Sequence, residues 1–247
     1  MHKNILRKYM RQVMLKGFGI ECQEKLLSSS VLVVGAGGLG CPALQYLAAS
    51  GIGKIGIVDF DKVEVSNLHR QILFSENDLG KPKAIIAGEK ITALNNDLSV
   101  EVHDIILDEK NGADIISGYD VVIDGTDNFQ SRYAINDACV LLDKPFVYGA
   151  VFRYEGQLAI FNFLNRGSKT TYRDLFPDPP RPNEIPDCSE AGVIGVLPGI
   201  IGTMQAAEAI KIISGIGEVL ANRLLTYNML TNSFYEVEIA ACEKNHI

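Results

Sequence analysis

Paired thiols, a basic excess and uninterrupted apolar runs are all missing from this chain of 247 residues. Its five cysteines, Cys22, Cys41, Cys139, Cys188 and Cys242, are odd in number, widely spaced and never in a Cys-x-x-Cys pair. That excludes a disulfide framework and a complete thiolate zinc site, and it suits a reducing, cytoplasmic setting. Acidic residues outnumber basic ones by 30 to 23, for a net charge of −7. Generic nucleic-acid binding needs basic surface and is disfavoured. Residues 1–20 do hold Lys3, Arg7, Lys8, Arg11 and Lys16 without an acid, but they contain no serine and run straight into a second helical pattern, unlike a transit peptide. The most apolar stretch, Val193–Ile213, is broken by Glu208, Lys211 and several glycines, so no membrane span is expected. Repeats and low-complexity linkers are absent too. What remains is 47% apolar and 21% charged, the balance of a folded globular protein.

The pattern of that protein is alternation. Apolar positions Ile5, Leu6, Met10, Val13 and Met14 predict an amphipathic helix over 3–16, with Arg7 and Arg11 on one face. Strands are predicted at 30–34, 54–59, 100–105, 120–124 and 146–151, and helices at 39–50, 83–94, 108–116 and 128–142. Such alternation implies a Rossmann-like, mainly parallel sheet with helices on both faces. Right-handed crossovers bring the strand C-termini, and hence the ligand, to one edge. After residue 151 the pattern changes. A strand at 157–163 is followed by an irregular loop over 164–190 with five of the nine prolines, a helix at 198–214, and strands at 223–229 and 233–240. This C-terminal part reads as an antiparallel extension too small to fold alone.

Gly35, Gly37 and Gly40 form a Gly-x-Gly-x-x-Gly turn between a strand and a helix, and Gly38 lies within it. Such a turn lets a phosphate approach bare backbone N–H groups at a helix N-terminus, although it also serves plain close packing. Asp59 ends the next strand, where a carboxylate can accept hydrogen bonds from ribose hydroxyls. A nicotinamide-dependent dehydrogenase would fit up to this point. Arg70 and Lys83, however, add cations beyond the two phosphates of a dinucleotide, and suggest a triphosphate. Asp127, after a third strand on the same edge, can hold Mg²⁺. The plainer readings are solvated loop charges for Arg70 and Lys83, and a helix N-cap at Asp127-Asn128.

Gly35-Ala36-Gly37-Gly38-Leu39-Gly40, Asp59-Phe60-Asp61, Ser66-Asn67-Leu68-His69-Arg70-Gln71, Gly80-Lys81-Pro82-Lys83 and Asp124-Gly125-Thr126-Asp127-Asn128 occur in this order. With Tyr9–Gln12, Gly149–Gly156, Cys188–Val193 and Gln205–Lys211, they make nearly the whole chain resemble the MoeB/ThiF/HesA family, bacterial relatives of ubiquitin-activating enzymes. The resemblance implies ATP-dependent adenylylation of the C-terminal Gly-Gly carboxylate of a small ubiquitin-like sulfur carrier, with release of pyrophosphate, for thiamine or molybdopterin synthesis. It implies that Asp59 binds the ribose and that Gly38 lies against the nucleotide. It implies that Asn67, Arg70 and Lys83 contact phosphates, and that Asp127 holds Mg²⁺. Asp61, Ser66, Leu68, His69 and Asn128 complete the nucleotide-binding set. Arg11 resembles the arginine that reaches into the partner's site in the family's homodimer. Cys188 matches a cysteine that can bond covalently to the carrier, the plainer reading being a small residue in a turn. The zinc that relatives hold with two Cys-x-x-Cys pairs is not expected, since those positions match Thr171, Asp174, Cys242 and Asn245; packing around Tyr172 and Leu175 would replace it. With no appended sulfurtransferase domain before Ile247, the sulfur donor is expected to be a separate protein. The chain is thus read as one unit: N-terminal helices over 1–28, a nucleotide-binding core over 29–151 and a carrier-binding extension over 152–247. A relative that adenylates a tRNA base, and an NAD-dependent oxidoreductase, stand as alternatives.

Overall fold

The computed structural model describes residues 7–165, 167–179 and 192–241. Among the described residues, helices α1 (Met10–Val13) and α2 (Gly19–Ser28) precede the first strand. The alternating core follows as β1 (Ser30–Val34), α3 (Gly40–Ser50), β2 (Lys54–Val58), α4 (Lys83–Leu94), β3 (Ser99–His103), α5 (Gly112–Ser117), β4 (Val121–Asp124), α6 (Phe129–Leu141) and β5 (Phe146–Phe152). Then come β6 (Glu155–Phe161), α7 (Tyr172–Leu175), α8 (Val196–Ser214), β7 (Arg223–Asn228) and β8 (Ser233–Glu238). One eight-stranded sheet contains every strand of the described residues, in the order β3-β2-β1-β4-β5-β6-β7-β8. The pairs among β1–β5 are parallel, and those from β5 through β8 antiparallel.

Burial on both faces explains the apolar runs Val31–Val34, Ile55–Val58 and Val121–Ile123 within β1, β2 and β4. Val31, Val33, Ile55, Ile57, Val121 and Ile123 pack on one face with Leu26, Leu44, Leu47 and Ala206. Leu32, Val34, Val58 and Val122 pack on the other with Ile116, Ile135 and Cys139. Leu47 is fully buried, and its truncation to alanine costs about 2–5 kcal/mol. By length and composition α8 could cross a membrane. Here it packs on the sheet, and its buried Glu208 accepts a hydrogen bond from the Leu220 N–H at 3.0 Å.

Three expectations need correction. The helix expected from Asp108 begins at Gly112, because the Asp108 carboxylate accepts the Lys110 and Asn111 N–H groups and holds a turn there. The helix before Asp124 is therefore short. The proline-rich segment contains α7, started by a capping box in which the Asp174 carboxylate accepts the Thr171 N–H at 2.7 Å and its hydroxyl at 3.0 Å. Finally, Asn128 rather than Asp127 caps α6, accepting the Ser131 N–H at 2.8 Å.

Candidate active site

The glycine turn connects β1 to α3 and meets the turn after β4 without a side chain between them. A Cβ at Gly35, whose φ is +93°, would lie 2.7 Å from the Gly125 carbonyl; one at Gly125 would lie 2.5 Å from the Gly35 oxygen. At Gly40 it would lie 1.9 Å from that same oxygen. Gly40 is therefore a packing requirement and Gly38 is closely packed, its Cβ position 3.1 Å from Pro198, whereas at Gly37 the nearest atom would be Gln71 Nε2 at 3.6 Å. The Val34↔Asp124 register between adjacent β1 and β4 brings the two turns together.

Asp59 follows β2 and is 8% exposed. Its carboxylate accepts the Ala36 N–H of the glycine turn at 2.7 Å and the Asp61 N–H at 2.8 Å. Burial pushes its carboxyl above the usual range, against the pull of those two N–H groups and of Lys83. Lys83, the first residue of α4, is buried, and its ammonium pairs with Asp61 at 2.9 Å. That overturns the solvated-charge reading for Lys83: a buried cation stands beside two carboxylates at the strand edge.

Arg70 belongs to a turn-rich segment after β2. Asn67 is buried there in a reciprocal cap with Glu64, and its carbonyl accepts the Arg70 N–H at 3.0 Å. The Arg70 guanidinium donates to the Ser66 carbonyl and meets the His69 ring, each at 2.9 Å. Leu68 packs against the core, which anchors the segment from below. The Arg70 stem faces the glycine turn, its Cγ 3.6 Å from where a Gly38 Cβ would be.

Asp127 is exposed and has no hydrogen-bond or ion-pair partner among the described residues. A carboxylate so placed beside the glycine turn has the donor chemistry that a hard cation such as Mg²⁺ accepts. Among the described residues no group of three His, Cys, Asp or Glu side chains could hold a metal by itself. Thr171 and Asp174, expected at the zinc position, bond to each other as the cap of α7, above a ring cluster centred on fully buried Tyr172, 5.2 Å from the Tyr133 ring and 5.0 Å from the Phe176 ring. Cys242 and Asn245 lie outside the described residues, and so does Cys188. Cys41 and Cys139 are buried in helices, and burial pushes the Cys41 thiol up to about 12.

Arg11 lies elsewhere. It is exposed on α1, next to Gln12, which donates to the Ser50 carbonyl at 3.1 Å. Neighbouring Tyr9 accepts a hydrogen bond from Asn95 at 3.0 Å. Ser50 and Asn95 precede β2 and β3, so Arg11 sits at the strands' N-terminal edge. Its own glycine turn is at the opposite edge, at the far end of a five-residue strand about 16 Å long.

A buried polar support lies beneath the Asp127 turn. Asp124 is fully buried, and its carboxylate accepts the Thr126 N–H at 2.8 Å and hydroxyl at 2.6 Å. The buried Arg132 guanidinium stands 3.3 Å from the other Asp124 oxygen, without hydrogen-bond alignment, and donates to the Thr126 carbonyl at 3.0 Å. Burial raises the Asp124 carboxyl while Arg132 pulls it down; the net direction is up. Gln205 of α8 donates to the Asp124 carbonyl at 2.6 Å and the Val147 carbonyl at 3.2 Å, in space left by Gly149. Gln205, a polar residue among the apolar and small residues of α8, is the sequence signal for this support.

A doubly wound sheet with a bare glycine turn, a buried carboxylate after β2 and cations on the same edge is the framework of a nucleotide-binding α/β protein. The ThiF family model matches residues 9–246, and the chain belongs to that family. It is 48% identical to the sulfur carrier protein adenylyltransferase of Thermus thermophilus, covering 96% of this chain and 88% of that one. It is 52% identical to a probable molybdopterin-synthase adenylyltransferase of Porphyra purpurea over 94% of this chain, and spans 60% of that relative. It also spans 59% of the probable adenylyltransferase/sulfurtransferase MoeZ of Mycobacterium tuberculosis, at 45% identity over 94% of this chain. The solved structure of E. coli MccB with succinimide superimposes with a TM-score of 0.81 over 98% of this chain and 73% of that one. At 22% identity, that likeness concerns the fold.

Proposed function

We propose that this protein adenylylates the C-terminal carboxylate of a small ubiquitin-like sulfur-carrier protein, using ATP and Mg²⁺ and releasing pyrophosphate. The observation that carries this reading is the convergence of Asp59, Lys83, Arg70 and Asp127 on the edge that presents the glycine turn. The carrier carboxylate attacks the α-phosphorus. The new bond joins a carboxylate oxygen to that phosphorus, the bond to the bridging oxygen of the β-phosphate breaks, and pyrophosphate takes the electron pair. A carboxylate is a poor electrophile, and adenylation gives it a good leaving group. The attack brings one anion towards others, so the protein's task is positioning and charge stabilisation.

In this reading Asp59 accepts the ribose hydroxyls, keeping Ala36 and Asp61 as its anchors. Gly37 and Gly38 let the phosphates approach the backbone. Arg70, Lys83 and Asn67 hold the triphosphate, Arg70 at its β/γ end. Mg²⁺ at Asp127 neutralises phosphate charge when bound. Arg11 serves the site of a second copy in a homodimer, which its distance from its own glycine turn supports. A separate donor supplies sulfur to the activated carrier, in thiamine or molybdopterin synthesis. The unbridged, buried thiols of Cys22, Cys41 and Cys139 support a cytoplasmic setting. A free carboxylate and two cations beyond the glycine turn exceed what a dinucleotide requires, so the oxidoreductase alternative is set aside.

Exchange of labelled pyrophosphate into ATP, measured with a panel of carriers ending in Gly-Gly, tests the reading. Exchange that needs one carrier and is lost in Asp127→Ala supports it. No exchange with any carrier, together with ATP cleavage that depends on tRNA, would replace it with the tRNA-modifying alternative.

A further inference from the structure

Gly195 immediately precedes α8 with φ −57° and ψ −27°, an ordinary right-handed conformation open to any residue. Alanine there would be favoured by reducing the freedom of the unfolded chain. The reason for glycine is therefore contact. A Cβ at Gly195 would lie 2.0 Å from the His69 carbonyl oxygen and 3.3 Å from the Arg70 Cα. One turn along, Pro198 reaches the glycine turn: a Cβ at Gly38 would lie 3.1 Å from both its Cβ and its Cγ. The Arg70 stem meets the same point at 3.6 Å. Gly199, one residue further, has open space around it. Gly195 thus packs closely on the His69–Arg70 backbone, and the Arg70 stem converges with Pro198 on Gly38.

We propose that Gly195 and Pro198 are positioning residues that set where the Arg70 guanidinium stands against the β- and γ-phosphates of the nucleotide. The first turn of α8 acts as a fixed stop behind His69 and Arg70. It can do so because a residue without a side chain allows backbone to touch backbone. The proposal rests on the phosphate role given to Arg70 above. It adds that the C-terminal part of the chain, through α8, helps to build the triphosphate end of the site.

The test is binding of ATP and of AMP to the full chain with Mg²⁺, by titration calorimetry. AMP lacks the phosphates that Arg70 would hold. Gly195→Ala should weaken ATP binding by about tenfold or more, the scale of one charge-assisted hydrogen bond, and leave AMP binding within about twofold. Gly199→Ala makes the same change on the same helix and should alter neither. In an Arg70→Ala background, Gly195→Ala should add no further loss, because its effect passes through Arg70. Equal weakening of ATP and AMP, or a full additive loss in that background, would overturn the proposal. Unchanged ATP binding in Arg70→Ala itself would locate the failure in the phosphate role and remove the proposal with it. Pro198→Ala, which adds no atoms, carries the same comparison if Gly195→Ala does not fold; an ATP-selective loss supports the proposal, and no loss overturns it.

Discussion

Replacing Arg132 by methionine isolates the support beneath the Asp127 turn. Methionine keeps an apolar stem against the Phe129 and Tyr148 rings, which the guanidinium carbon faces at 5.6 and 5.5 Å. It removes the positive partner of Asp124, which has no exposed surface, and the bond to the Thr126 carbonyl. Breaking one side of a buried ion pair costs about 3–5 kcal/mol, because the remaining charge is left uncompensated. For a chain of this size that corresponds to a fall in Tm of roughly 6–20 °C at neutral pH. The sign of the pH dependence follows from Asp124. Its carboxyl is already raised in the fold by burial, and losing Arg132 raises it further. The variant's deficit is fully present above its further-raised value and shrinks as pH falls through it to the parent's own raised value, below which both folded forms bind the proton. Thermal melts of Arg132→Met and the parent at pH 8, 7, 6 and 5 should therefore converge towards acid. The double variant Asp124→Asn, Arg132→Met should regain most of the loss at pH 8. A deficit independent of pH, or below about 1 kcal/mol at pH 8, would refute this account of the support.

Three further outcomes are expected. Thr171→Ala removes a side chain from the capping box of α7 and should cost about 1 kcal/mol, a fall in Tm of roughly 2–4 °C, with pyrophosphate exchange retained. Lys83→Ala leaves Asp59 and Asp61 without their cation and should lower the exchange rate by a factor of about 10² or more at saturating ATP, while melts show a folded protein. Mixing inactive Arg11→Ala with inactive Asp127→Ala should restore activity to about a quarter of the parent's, since half of the dimers are mixed and each holds one complete site; no recovery would place Arg11 outside the site.

The parallel core was legible because its strands leave little choice. Ser30–Val34 has four consecutive apolar residues followed at once by Gly35, and Lys83–Leu94 has strong helical periodicity. The start of α5 falls later than the pattern over 108–116 predicts, because the Asp108 carboxylate closes a turn of its own. Only four residues long, α7 shows no periodicity, although Thr171-x-x-Asp174 carries a capping pattern. The site's charged residues could be found as types at strand ends. Their state could not: Lys83 is buried and paired, and Asp127 is exposed and has no partner among the described residues. Arg132 escaped notice because hydrophobic periodicity identifies buried apolar faces and is blind to a buried polar side chain. Arg11 stood out only through resemblance, and its distance from its own glycine turn emerges from the packing of α1.

The most direct test of the central claim is the intact mass of the carrier after incubation with this protein, ATP and Mg²⁺, with pyrophosphatase present to draw the reaction forward. The account predicts a carrier heavier by one adenylyl group, none on a carrier shortened by its last glycine, and none with Asp127→Ala. An unmodified Gly-Gly carrier, with ATP bound and the protein folded, would contradict it.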